Sequence, residues 1–337
     1  MGAERAYFGD FWGLLHAILN EMKATHFLSS DEIKHFTKLS NLRGLQALAT
    51  TWLMIAACFV LVTLFPNPLT IAVAMVILGG RQLALAILMH DCSHYSLFKT
   101  RSWNDFLGAW FCGYPVWLDL RRYREHHWRH HRLAGTREDP DDALVSNYPV
   151  SRSSFIRKAL RDLSGLSGIK RIYGLILMDL GFIEFTVSST VKKVDQTGRT
   201  AVDVVRAGFQ NLGPVILTQG VFFGVLLFFG EPLLYLLWVA SYLTTFSLIL
   251  RIRSIAEHAL TDYDPDPRKC TRTTYASPLA RVTVAPHRVN YHLEHHVLMM
   301  VPYFRLKEMH EVLLARDAYG DAHVSQNYRE VMKLAIK

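Results

Sequence analysis

Eight histidines fall into three tight clusters: His90 and His94; His127, His130 and His131; His292, His295 and His296. Imidazole is the commonest metal-ligating side chain. Helix positions i, i+3 and i+4 share one face, so H-x-x-x-H at 90–94 and H-x-x-H-H at 127–131 and 292–296 each present their rings together. Three such clusters in one chain point to a single polynuclear metal centre. Eight neutral nitrogens exceed what one tetrahedral zinc can use. Two five- or six-coordinate iron ions would absorb them, and imidazole suits iron. His258, at the end of Arg253-Ser254-Ile255-Ala256-Glu257-His258, is a ninth candidate because it also follows an apolar run. His126 turns about 100° away from His127 on a helix and reads as a supporting or surface group. His287 stays open as a ligand, whereas His16, His26, His35, His310 and His323 read as surface histidines.

The elements that must position these rings are apolar. Four runs are long enough to cross a bilayer, which needs about 20 mostly apolar residues: about 46–64, 69–90, 212–229 and 233–250. Phe65-Pro66-Asn67-Pro68 joins the first two and Gly230-Glu231-Pro232 the second two, so the runs read as two helical hairpins. Of 37 Lys and Arg, only Arg81 lies within a run. The positive-inside tendency then puts both termini and the long middle segment in the cytoplasm, with all three histidine clusters. Residues 91–211 and 251–337 become a cytoplasmic helical cap on a single domain, 1–337. The fold class is all-α and integral to the membrane. Two further apolar stretches, Asn104–Leu118 and Ile172–Val187, are short or carry Asp179 and Glu184. A span at either would put later clusters on the wrong face, so both read as interfacial or re-entrant helices.

Composition agrees. Half of the 337 residues are apolar, and the formal charge is +8. No nucleic-acid-binding motif accompanies that charge, which suits a membrane surface and an acidic partner. Cys58, Cys92, Cys112 and Cys270 form no C-x-x-C and read as reduced structural thiols. The first residues lack the order of a cleaved signal peptide. A soluble ferritin-like diiron protein needs two E-x-x-H motifs, and only Glu32–His35 fits. A metal transporter would place ligands at mid-membrane, where these runs are nearly bare. The chain carries no haem-binding, flavin or Cys-rich segment of its own. Arg121, Arg122, Arg124, Arg129 and Arg132 form the densest basic stretch, which suits an acidic partner and anionic lipid phosphates equally.

HDCSH at 90–94, HHWRHH at 126–131 and HLEHH at 292–296 resemble the three histidine boxes of the membrane fatty acid desaturase and hydroxylase superfamily. The text around boxes one and two, with RSIAEH and the stretch LARVTVAPHRVNYHLEHHVLMMVPYFRL, is similar to bacterial acyl desaturases over roughly residues 45–310. The resemblance implies a diiron centre of two Fe2+ ions on His90, His94, His127, His130, His131, His258, His292, His295 and His296. It implies dioxygen as co-substrate, electrons from an acidic carrier such as a ferredoxin or cytochrome b5, a fatty-acyl or related lipid substrate, and a multi-pass protein of the bacterial inner membrane. Desaturation is the favoured outcome, with hydroxylation or ketolation of a lipid, sphingoid or carotenoid as the alternative. Ser254 stands where relatives of the stearoyl-CoA type carry Asn. Asp91, Asp139, Glu257 and Glu294 are the carboxylates expected to orient the imidazoles.

Overall fold

A computed structural model describes residues 24–185 and 191–337. Four helices are long and apolar enough to cross a membrane: Asn41–Leu64, Pro68–Ser93, Ala201–Phe228 and Leu233–His258. The protein is an all-α membrane protein, with each hairpin where the sequence places it.

Caps explain why these helices outrun the apolar stretches. The Ser40 hydroxyl accepts from Arg43 N, so the first span starts at Asn41. Asn67 caps the second, with Pro68 in the first turn, where its missing N–H costs nothing. Thr200 and Asp203 form a capping box that starts the third span well before residue 212. The fourth continues beyond residue 250 to His258. It breaks at Thr244 (φ −108°, ψ −85°) into Leu233–Leu243 and Thr245–His258.

The second span is the hub. Over its most apolar window 61% is buried, against 11% for the third span, which lies at the rim. Gly79 and Gly80 permit the second span's close approaches to neighbouring segments. A Cβ on Gly79 would stand 2.5 Å from Thr245 Oγ1 and 2.8 Å from Phe246 N, and one on Gly80 would overlap the Val282 carbonyl. Leu78, Leu85, Leu88, Trp238 and Phe246 pack in the core around this crossing. Arg81, the charged residue within the runs, donates from Nη2 to Val282 O (2.6 Å) and Arg281 O (3.2 Å). The segment before box three therefore dips against the second span, its backbone carbonyls satisfied by that guanidinium.

The cap is mainly helical, with two small additions that the sequence reading lacked. Strands Ile183–Phe185 and Val191–Lys193 pair antiparallel, and Arg272–Thr274 pairs parallel with His323–Ser325. The first pair corrects the reading of Ile172–Val187 as one helix. The helix is Leu166–Asp179, and the chain turns at Gly181 (φ +77°) into a strand. Val187 lies outside the described residues. Asn104–Leu118 is no span either. It forms a short helix, Arg101–Leu107, then a wide π turn, Gly108–Gly113, and a tight one, Tyr114–Val116.

Candidate metal centre

Four elements deliver the imidazoles. The second span carries His90 in its last turn and ends on His94. Box two lies on the helix Leu120–Leu133, started by Asp119, whose Oδ1 accepts from Arg122 N at 2.9 Å. The fourth span ends on His258, whose Nδ1 donates to Cys270 O (3.1 Å). Box three forms the short helix His292–Val297.

Their rings converge in two groups. His90, His94, His127, His131 and His295 make one, and His130, His258, His292 and His296 the other; within each, the potential ligand atoms lie within 4.8 Å of one another. All nine histidines singled out in the sequence are in these groups. His131 Nε2 stands 3.0 Å from both His127 Nε2 and His295 Nε2, and His292 Nε2 stands 2.8 Å from His258 Nε2. The groups abut, with the His131 and His296 ring centroids 4.2 Å apart.

The donor set fits metal. His90 Nε2, both nitrogens of His94, and His296 Nε2 are buried with no hydrogen-bond partner. Buried polar atoms are rarely left so, and a cation would satisfy one nitrogen of each of these three rings. Burial holds His94, His127, His131, His292 and His296 well below the ordinary imidazole value and brings His295 down to about 3. Neutral imidazole is the ligating form. His130 goes the other way. Burial would lower it, but the hydrogen bond to Asp139 and the charges of Asp141 and Asp139 raise it.

The expected carboxylates divide. Asp91 Oδ1 accepts from His90 Nδ1 (2.9 Å), and Asp139 Oδ1 from His130 Nδ1 (2.8 Å). Glu257 accepts from Arg253 (2.6 Å) and lies 3.7 Å from His292 Nε2. Glu294 orients none of the nine rings. It is fully buried and accepts from Thr273, Tyr319 and His310, the last at 2.6 Å from Nδ1.

His310 therefore corrects its reading as a surface group. It is buried, and Tyr275 donates to its Nε2 (3.0 Å). The available signal was its place on one helix face with Leu306, Met309 and Leu313. His126 lies outside both groups and donates to Asp141 (2.9 Å). Burial pushes the Asp141 carboxyl up, but the His126 hydrogen bond and the His130 charge bring it down to about 2. His287 lies 3.0 Å from Thr51 Oγ1, away from the cluster. His26 is exposed, His35 pairs with Glu308 (2.7 Å), and His323 stands 3.5 Å from Asp262. His16 lies outside the described residues.

Two residues that sequence reasoning passed over complete the site. Tyr123, one turn before His127, stacks on its ring (5.2 Å). Arg253 holds Glu257 from the preceding turn. Both line a cavity of about 660 Å³ that touches His127, His130, His258 and His292 and is otherwise walled by side chains such as Ile87, Trp117, Leu175 and Phe246. That volume suits a single small-molecule or lipid ligand. A smaller cavity of about 230 Å³, lined by Asp139, Asp142, Thr261 and Tyr263, also reaches His258.

The model of the fatty acid desaturase family matches residues 66–328, well over half of the chain. Among curated proteins, a dihydrorhizobitoxine desaturase of Bradyrhizobium elkanii is 26% identical over 296 residues, covering 85% of this chain and 79% of that protein.

Proposed function

The chain belongs to the fatty acid desaturase family, and from that premise we propose that it desaturates a fatty-acyl or related lipid chain, using dioxygen, at a diiron centre held by the nine histidines. Membership makes it an oxidoreductase associated with the membrane. The observation that carries the finer reading is the pair of imidazole groups, with unpartnered nitrogens, at the end of a mainly apolar cavity. Such a donor set supports two iron ions better than one zinc. The relative's name supports desaturation over hydroxylation or ketolation.

When bound, the iron pair would supply the oxidising power to remove hydrogen from an unactivated methylene. The protein's own part is positioning and exclusion. Ile87, Trp117, Leu175 and Phe246 offer a dry wall for an alkyl chain. Tyr123, stacked on His127, closes that wall where it meets the rings. Asp91 and Asp139 fix the Nδ1 tautomers of His90 and His130, so that each Nε2 would be the atom to hold a metal.

Electrons enter from outside. Of the five arginines on the box-two stretch, Arg122 is bound to Asp179 and Arg124 to Asp105. Arg121, Arg129 and Arg132 remain exposed and suit an acidic ferredoxin or cytochrome b5. We read the chain as one domain of a bacterial inner membrane, with the termini and the cap of residues 91–211 and 251–337 on the cytoplasmic side.

The test is iron content and product. Purified protein in lipid nanodiscs should hold close to two irons per chain and, given reductant, carrier and dioxygen, add a double bond to a supplied acyl lipid. Replacing His127, His131, His292 or His296 with Ala should abolish turnover and lower bound iron. Exchangeable zinc in place of iron, or a hydroxylated product, overturns the reading.

A further inference from the structure

The cavity that touches the histidines is also lined by cations: Arg161, Lys170, Arg171 and Arg251. Asp162 compensates Arg251, accepting from Nη2 at 2.9 Å. Among the described residues, no carboxylate pairs with Arg161, Lys170 or Arg171. Arg161 donates to Ser167 (3.3 Å), which ties it to the same corner through Asp162.

Arg171 is the fixed member of this group. Its Nη1 donates to Ser247 Oγ (3.1 Å) and its Nη2 to Tyr242 O (2.9 Å). Tyr242 and Phe246 present ring faces to the guanidinium at 4.6 and 4.9 Å. These contacts span the break of the fourth span at Thr244 and hold the side chain rigid. They use two donor groups and supply no negative charge. Its guanidinium is thus half-buried on the cavity wall with no carboxylate among the described residues to compensate it, and a cation so placed, flanked by two exposed cations, is a receptor for an anion.

The position is also a measure. Ser247, which Arg171 grips, and His258, in the metal cluster, lie on one uninterrupted helix, Thr245–His258. Eleven residues at about 1.5 Å each separate them by roughly 16 Å. A group held at Arg171 therefore sits a set distance from the oxidising end of the cavity.

We propose that Arg171, with Arg161 and Lys170, forms an anion-binding subsite that holds the carboxylate or phosphate end of the substrate and thereby sets which carbon reaches the histidines. This rests on the cavity being the substrate site of a desaturase, and it names the substrate class: a chain ending in a fixed negative charge. The competing role, in which Arg171 only staples the broken helix, needs no such preference.

The experiment measures equilibrium binding of labelled hexadecanoate, hexadecyl phosphate and hexadecanol to the full-length protein in neutral detergent. The acid and the phosphate are expected to bind at least tenfold more tightly than the alcohol. Arg171→Gln should erase that preference while leaving alcohol binding unchanged. Arg161→Gln and Lys170→Gln, at exposed positions where folding is not at stake, should each reduce it severalfold and decide the matter if Arg171→Gln does not fold. Competition by inorganic phosphate marks a subsite open to a free phosphate, and its absence marks one that takes the anion only on a chain; either supports the subsite. Equal binding of acid and alcohol, or a preference that survives all three substitutions, overturns it. Because binding is read without turnover, loss of the preference leaves the desaturase reading intact, and failure of product formation leaves the subsite standing.

Discussion

The carboxylates around the histidines do two different jobs, and the difference is measurable. Asp91 and Asp139 touch imidazoles directly. Replacing either with Asn should weaken iron retention about 10–100-fold, as loss of a ligand's hydrogen-bonding partner does, with little change in the melting temperature of the iron-free protein. Glu294 touches Thr273, His310 and Tyr319 instead. His310→Ala leaves that buried carboxylate underbonded and should lower stability by about 1–3 kcal/mol, read as a fall in melting temperature of the iron-free protein. His323→Ala, at a half-exposed site, should change neither iron content nor stability. The sequence could not separate these residues. Clustering made the nine imidazoles legible, but which way Glu294 turns depends on Tyr319 and His310, which contact it only in the fold. His287 shows the same limit. Its backbone is left-handed (φ +49°), and burial, with the charge of Arg81, lowers its imidazole from 6.5 to about 3. The unfolded chain therefore binds a proton that the folded chain refuses between those values. Stability is unaffected above pH 6.5 and falls as pH drops below it, by up to about 1.4 kcal/mol per pH unit for this one group. Asn tolerates the left-handed conformation. His287→Asn should therefore flatten the decline between pH 6.5 and 4 in thermal melts, and an unchanged slope would show that this side chain is not the acid-sensitive one.

At the scale of elements, the middles of the spans were legible and their ends were not. Hydropathy marks the stretch that lipid would touch, whereas a helix stops where its backbone groups find other partners. The fourth span shows the consequence. Its apolar run ends near residue 250, yet the helix carries Arg251, Arg253 and Glu257 a further two turns to place His258 among the other rings. Nor did the pattern reveal that the chain before box three and the broken fourth span both pack against the second span, because those contacts depend on two residues with no side chain to score. Gly80 lies against the Val282 carbonyl and Gly79 against Thr245 and Phe246. A branched side chain at Gly80 has nowhere to go but into backbone. Gly80→Val should destabilise the protein by about 1–3 kcal/mol or more. It should also reduce iron content, because the displaced segment leads directly into His292. Comparison with Gly224→Val, a position with open space around it, separates crowding from helix propensity; equal losses in both variants would place the effect in the helix itself.

Across the whole molecule, the histidine cluster is the point where separately folded pieces meet. The second and fourth spans belong to different hairpins, box two opens the long middle segment, and box three follows the last span. Each histidine group draws on at least three of these four elements: His90, His127 and His295 in one, His130, His258 and His292 in the other. Bound ions would therefore cross-link the cap to the bundle, and without them buried, unpartnered nitrogens crowd together at the junction. The hydrophobic contacts that hold the spans together do not depend on metal, since Leu78, Leu88, Trp238 and Phe246 belong to one apolar core. Chelation should thus loosen the cap while the spans stay helical. A site saturated one hundredfold over its dissociation constant adds about 2.7 kcal/mol to the folded state, so the melting temperature of the detergent-solubilised protein should rise with added ferrous iron and fall on chelation. Far-UV circular dichroism should change little at room temperature, and proteolysis after chelation should first cut the segments between the box helices. Were the metal-free protein to melt at the same temperature and resist protease equally, the histidines would be coming together without any contribution from metal to the fold.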